Sequence, residues 1–399
     1  MLHMTQAALS GIKVVDLSRV LAGPSATQCL ADLGAEVIKI ERPETGDETR
    51  EWAPPQFADG TSAYFATVNR NKQSVTVDIS TAAGQEIIKK MVVDADVLVE
   101  NYKVGGLKKY GLDYDSLKTL NPRLVYASLT GFGQTGPDAR KPGYDYIIQG
   151  QSGLMSITGP EDGLPYKVGV AVVDLFAGLN LVIGIQAALL ARAQTGVGQH
   201  VDVALLDSAI AMLANVGMNH LATGKVPPRL GNGHPSIVPY QVFATEGAQH
   251  LILACGNDKQ FAAVCAVMEQ DWIADERFAT NPQRVKNRAE LVPLMQAVFM
   301  SKERDAWLGL FDAASVPCGP INNIAEAVAM PQVAAREMVV GLNKAEVQMN
   351  VLGSPVKLSG TPVQYHSAPP DLGQDTVSVL TSLGYTQEQI EQLQQQHIV

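Results

Sequence analysis

Cysteine is scarce: Cys29, Cys255, Cys265 and Cys318 are the only four in 399 residues, far apart and without a C-x-x-C pair. That speaks against a disulfide framework or a thiolate zinc site, and it fits a reducing cytoplasm. The seven histidines are scattered with no H-x-x-x-H, so no metal is expected. No G-x-S-x-G occurs, which removes the serine-hydrolase elbow. The turn SRVLAGPSATQ, after the first strand-like run, lacks G-x-G-x-x-G, so a nicotinamide dinucleotide is a poor fit. Basic blocks of five or more residues are also missing. With a formal charge of −10 and a pI near 5.2, neither nucleic acid nor an anionic membrane is the expected partner. The N-terminus MLHMTQAALSGIK has neither a basic region nor a sustained apolar run, so no export signal is expected. The uncharged stretch from Leu175 to Ala191 carries Gly178, Asn180, Gly184 and Gln186. It falls short of the roughly 20 apolar residues of a membrane span, and a buried core helix is expected instead.

What is present is apolar patterning. With 46% hydrophobic residues the chain can bury a large core, divided into about two or three domains. The first third alternates strand-like runs (KVVDL, EVIKIE, SVTVDI, DVLVEN, LVYASL) with helix-like ones (TQCLADLG, AAGQEIIKKMVVDA). This is an α/β pattern with a mostly parallel sheet, whose ligands bind at the carboxyl ends of the strands. An amphipathic helix is expected over about 201–222, ending in the Pro/Gly-rich TGKVPPRLGNGHPS. VPYQVFATEGAQHLILACG reads as a hairpin, with helices to follow near 258–269, 288–299 and 303–314. VPCGPINN has the composition of a loop crossing back, and SLGYTQEQIEQLQQQ reads as a polar terminal helix.

One acidic residue interrupts KVGVAVVDLFAGLNLVIGIQAALLAR: Asp174, where a strand-like run passes into a helix-like one. An aspartate there serves as an N-cap, accepting from the first free N–H groups of the helix. The same terminus holds a carboxylate ionised, with a lowered pKa, and so available as a nucleophile. Position alone leaves both readings open. A second carboxylate candidate, Asp145, follows Tyr144 in RKPGYDYIIQG, just after the glycine-punctuated turn TGFGQTGP.

The segments LSGIKVVDLSRVLAGP, GAEVIKIERPETGDETREW, NRNKQSVTVDI, DVLVENY, LTGFGQTGP and GYDYIIQGQSGLMSITG occur in that order. SIVPYQVF, VPCGPINN and APPDLGQDT complete the series. In this set and order the chain resembles the class III CoA-transferases, of the formyl-CoA and carnitine transferase type. SIVPYQ and VPCGPINN are most like the succinate–hydroxymethylglutarate branch. The resemblance implies an α/β fold with a Rossmann-like large domain built from both chain ends, over 1–200 and, with a return linker, 321–399. It further implies a linker helix over 201–225, a small α+β domain over 226–320 and an interlocked homodimer. Asp174 falls at the position of the family's catalytic aspartate. The implied reaction moves CoA from a donor such as succinyl-CoA to a small dicarboxylic acid such as glutarate, through a covalent aspartyl-CoA. No cofactor is implied beyond coenzyme A as substrate.

By the same resemblance Trp52, Tyr64, Tyr144 and Asp145 line the acyl site, and Gly231, Asn232 and Gly233 cover the intermediate. His234 orients the acceptor's far carboxylate, with Arg229 as the alternate. CoA is held by Val20, Arg42, Val77, Asn101, Tyr102 and Lys109, with Lys72 and Lys141 as further phosphate partners. Two positions depart from the formate enzyme: Leu21 stands in place of a glutamine and Ser80 in place of a lysine. An α-methylacyl-CoA racemase of the same fold carries a G-H-D segment, whereas this chain has Gly143-Tyr144-Asp145. A phenol with a reference pKa of about 10 is a poor base at neutral pH, which disfavours that alternative. The remaining alternative is a CoA-binding protein without turnover, against which Asp174 stands.

Overall fold

The computed structural model describes residues 6–399. The chain forms two compact units. One runs through Leu154, resumes over Val168–Leu213 and closes with Pro331–Val399; the other takes Met155–Lys167 and Ala214–Met330.

The first unit opens with β1 (Lys13–Asp16), α1 (Ala22–Asp32), β2 (Glu36–Glu41), α2 (Ala63–Thr67), β3 (Lys72–Thr76) and α3 (Ala82–Asp94). It continues with β4 (Val97–Glu100), α4 (Tyr114–Leu120), β5 (Val125–Thr130), α5 (Asp145–Gln151), α6 (Val172–Thr195), β6 (His200–Ala204) and α7 (Leu205–Met212). The second unit holds α8 (Ala214–Thr223), β7 (Tyr240–Ala244), β8 (His250–Ala254), α9 (Asp258–Val267), α10 (Asn281–Lys286), α11 (Arg288–Phe299), α12 (Arg304–Ala313), β9 (Cys318–Pro320) and α13 (Ile324–Val328). The chain then returns to the first unit with α14 (Pro331–Ala335), the hairpin β10 (Val339–Lys344) and β11 (Val347–Leu352), α15 (Thr376–Ser382) and α16 (Gln387–Gln395).

Six parallel strands in the order β3-β2-β1-β4-β5-β6 form the central sheet. All residues of β4 and β5 are buried, as expected of parallel strands covered on both faces. Successive side chains alternate between two cores. Val14, Val97 and Ala127 pack with Leu30, Leu181 and Ile185 of α1 and α6, whereas Val15, Leu98 and Tyr126 pack with Ile87 of α3 and with Leu380 and Ile390 of the C-terminal helices. The order reverses between β1 and β4, and such a switch point opens a crevice at the carboxyl ends of those strands.

Several expectations are corrected. The helix expected over about 201–222, and with it the 201–225 linker helix, is a strand followed by two helices: β6 pairs with β5 over Tyr126–Thr130, α7 belongs to the first unit and α8 to the second. HVDVALLDSAIAML satisfies both periods, and the free edge of β5 decides between them. The run before Asp174 forms no strand. VPCGPINN is not only a crossing loop, since β9 pairs with β8 in the three-stranded sheet of the second unit. Finally, α6 buries only one face. Val173, Ala177, Leu181 and Ile185 are buried while Leu179, Ile183 and Leu190 are 55–70% exposed. By length and composition alone α6 also meets the requirement for crossing a membrane.

α6 sits tightly on α1. A Cβ added at Gly178 would lie 2.4 Å from the Ser25 hydroxyl oxygen and 2.8 Å from the Ala22 carbonyl oxygen. Glycine at this position therefore sets how closely the N-terminal turn of α6, with Asp174, approaches the first βα turn.

Candidate active site

The site is built at the switch point. After β1 the chain turns through Ser18–Leu21, and after β4 through Asn101 and Tyr102. The Asn101 side chain clamps the two turns together: its Oδ1 accepts from the Arg19 backbone N–H at 3.0 Å, and its Nδ2 donates to the Arg19 carbonyl at 2.8 Å. Asn101, expected to bind CoA directly, spends its amide on the backbone of Arg19.

Val20 adopts φ +71°, a left-handed conformation that a β-branched residue rarely takes. Asp47 secures it by accepting from the Val20 N–H at 3.2 Å. Asp47 is in turn buried against Lys39 at 2.8 Å, and Lys39 also donates to the Ser18 carbonyl at 2.9 Å. Burial works to raise the Asp47 pKa, but the Lys39 ammonium outweighs it and holds the carboxyl below its ordinary value. Sequence reasoning missed this pair, although a lysine at the centre of the apolar strand EVIKIE was a visible signal.

Asp174 is not the N-cap of α6. That position is Ala171, which has no capping side chain, and Asp174 is the third helical residue. The cap comes from α5: Asp145 Oδ2 accepts from the Val173 N–H at 2.8 Å and the Asp174 N–H at 3.2 Å, while Oδ1 accepts from Gln149 Nε2 at 2.6 Å. Asp145 is thus engaged with the α6 backbone. The Asp174 carboxyl is pushed up to about 7, first by burial and then by the negative charge of Asp145. The lowered pKa expected at a helix N-terminus is overturned, because burial and then the charge of Asp145 outweigh the pull of the terminus.

Asp174 lines a cavity of about 270 Å³ together with Val20, Leu21, Trp52, Tyr102 and Tyr144. The backbones at Gly131 and Gly143 nearly touch, and a Cβ on Gly131 would lie 2.5 Å from the Gly143 Cα. This contact holds the segment bearing Tyr144 against the end of β5. Trp52 stands edge-on to Tyr64, ring centroids 4.8 Å apart. Burial, and then the charges of Asp174 and Asp145, raise the Tyr64 phenol above its ordinary pKa.

A second cavity, of about 300 Å³, is lined by Arg42, Val77, Ser80, Tyr102 and Tyr110 among others. Lys109 is not in its lining; its ammonium lies 4.5 Å from the Tyr110 ring centroid. Lys72 is no phosphate ligand, since its ammonium is fully buried on Asp16 at 3.2 Å and the Pro24 carbonyl at 2.9 Å. Lys141 does line the Asp174 cavity and is paired with Asp138 at 2.7 Å.

Gly231, Asn232, Gly233 and His234 belong to the second unit. His234 donates its backbone N–H to the Tyr240 carbonyl at 3.0 Å, and its Nδ1 accepts from the Ser236 N–H at 3.1 Å. Arg229 donates Nε to the Pro160 carbonyl at 3.0 Å and Nη2 to the Gly163 carbonyl at 2.7 Å. These contacts tie Arg229 to the segment containing Pro160 and Gly163. Among the described residues, no group of three His, Cys, Asp or Glu is placed to hold a metal ion.

Fold and site together define a mixed α/β protein with a parallel central sheet, whose switch-point cavity contains a half-buried carboxyl with a pKa pushed up to about 7. The chain belongs to CoA-transferase family III, whose signature matches residues 9–376, and it is an enzyme of that class. It is 49% identical to the succinate–glutarate CoA-transferase of Agrobacterium fabrum, over 94% of this chain and 95% of that protein. It is 44% identical to the succinyl-CoA:glutarate CoA-transferase of Mus musculus, over 96% of this chain and 88% of that protein. Among solved structures, a CAIB/BAIF family protein from Brucella suis superposes with a TM-score of 0.85 at 46% identity, covering 95% of this chain and 100% of that one.

Proposed function

We propose that this enzyme transfers CoA from succinyl-CoA to glutarate, with Asp174 as the covalent carrier. The observation that carries the reading is the half-buried Asp174 carboxyl in the switch-point cavity, its pKa raised to about 7. A carboxylate with a raised pKa is a stronger base than an ordinary aspartate, yet it is substantially ionised at neutral pH. The relatives named for succinate and glutarate support the choice of acids.

The Asp174 carboxylate attacks the thioester carbonyl, giving a mixed anhydride and CoA thiolate. The thiolate attacks the aspartyl carbonyl, forming aspartyl-CoA and releasing succinate. Glutarate then attacks aspartyl-CoA, and the thiolate returns to the glutaryl carbonyl, restoring the Asp174 carboxylate. One thioester is consumed and one is made, so the transfer needs no external energy source. Both anhydrides are sensitive to water, so the reaction benefits from burial of the carboxyl.

The same reading includes an interlocked homodimer with a Rossmann-like large domain, working in the cytoplasm. The exposed stripe Leu179, Ile183 and Leu190 on α6 is apolar enough to be covered by a second copy. The racemase alternative finds little support, because Tyr144 occupies the place of the base and is 67% exposed. The test is isotope exchange. Labelled succinate should enter succinyl-CoA with no acceptor present, and mass spectrometry should find CoA attached at Asp174. Exchange that strictly requires glutarate would sink the covalent route.

A further inference from the structure

Arg19 is built as a recognition group with one donor left unpartnered. Its backbone is clamped by Asn101, its Nη1 pairs with Glu48, and its guanidinium lies 5.3 Å from the Tyr102 ring centroid. Its Nε, however, is buried and has no hydrogen-bond partner. A guanidinium offers its donors as a planar fork, of which Nη1 is committed to Glu48. An N–H buried without an acceptor is costly, so such groups mark a site for an acceptor that arrives with a ligand.

Position says which ligand group this is. Arg19 and Tyr102 line both cavities, the one containing Arg42 and Val77 and the one containing Asp174. A ligand with a nucleotide at one end and a thioester at the other, spanning the two cavities, passes Arg19 midway along its length. In acyl-CoA the anionic group between those ends is the diphosphate.

We propose that the Arg19 guanidinium, lining both cavities, is the subsite for the diphosphate of acyl-CoA; this rests on the CoA-transfer reading. Glu48 and Asn101 are then positioning residues that hold the guanidinium ready before the ligand binds.

The experiment compares parent and Arg19→Gln with two donors, succinyl-CoA and the succinyl thioester of pantetheine, which lacks the diphosphate. Calorimetric titration with CoA accompanies it. In Arg19→Gln, KM for succinyl-CoA and Kd for CoA should rise roughly 10- to 100-fold, the range set by loss of a charged hydrogen bond. KM for the pantetheine thioester should move less than about twofold, which also reports an intact fold. Arg19→Lys should recover only part of the loss, since an ammonium restores charge but not the fork. Equal increases for both thioesters would place Arg19 on the acyl carboxylate and overturn the proposal, as would an unchanged Kd for CoA. If the parent turns over neither thioester, the transfer reading fails, while the CoA titration still decides the role of Arg19.

Discussion

Asp145 and Asp174 share a hydrogen bond that couples their roles: the Asp145 carboxylate accepts from the Asp174 backbone N–H at 3.2 Å, and its charge helps to raise the pKa of the Asp174 side chain. One carboxylate fixes the start of α6 and, in the same position, makes its neighbour more basic. The nucleophile proposed here is tuned by burial and by a like charge, not by the helix terminus on which it sits.

Replacing Asp174 with Asn should abolish transfer while leaving CoA binding within about twofold, because the amide keeps the shape and loses the nucleophilic anion. Steady-state assays and CoA titration on one preparation check this. Near-normal turnover would remove Asp174 from the mechanism.

The pH dependence should follow the raised carboxyl. kcat/KM of the parent should climb with pH through about 7 as Asp174 ionises. Asp145→Asn removes the like charge but keeps an acceptor for the helix N–H groups, so the acidic limb should move to lower pH. An unmoved limb would show that Asp145 does not govern the titration.

Thermal stability should carry the opposite mark of the same group. A carboxyl whose folded pKa lies above its unfolded value contributes stability that is complete below the unfolded pKa and is lost as pH rises through the folded one. Here that window runs from about 4 to about 7. Asp174→Asn does not titrate, so its Tm relative to the parent should be higher at pH 8 than at pH 4.5, by the equivalent of a few kcal/mol. Parallel melting curves without ligand at both pH values would test it.

Asp47→Ala should destabilise the protein by about 3–5 kcal/mol, because the buried Lys39 loses the one carboxylate in direct contact with it. The Val20 turn also loses its acceptor, so KM for acyl-CoA should rise in whatever protein stays folded. Denaturant titration and steady-state kinetics measure the two effects separately. Parent-like values in both would mean that neither the buried pair nor the Val20 turn depends on Asp47.

The acceptor should be a dicarboxylate. Glutarate and succinate should exceed butyrate in kcat/KM by roughly tenfold or more, if a distal carboxylate gains one charged hydrogen bond. His234→Ala compared across the same three acids tests whether that contact is made by the imidazole. Equal values for butyrate and the dicarboxylates in the parent would reject the substrate class, whereas an unchanged preference in the variant would reject only the residue.

Local patterning made much of this protein legible. Apolar runs marked β1, β4 and β5, because a parallel strand covered on both faces must be largely apolar on both. Asp174 stood out as the one charge in a long apolar segment, and the order of motifs carried the family. His200–Ala204 was misread because its residues suit a helix as well as a strand, and only the neighbouring edge of β5 separates the two.

The residues that prepare the site were beyond local reading. Asp145 caps a helix that begins 27 positions later, and Asn101 holds a peptide 82 positions earlier. The sequence by itself determined which segments had to be buried and where a carboxylate and turns would lie along the chain, since these follow from periodicity and residue chemistry. Only the tertiary structure decided that the pKa of Asp174 would be raised rather than lowered, and that Arg19 would keep one buried donor unpartnered. Both outcomes depend on burial and on partners distant in sequence, which no local pattern encodes.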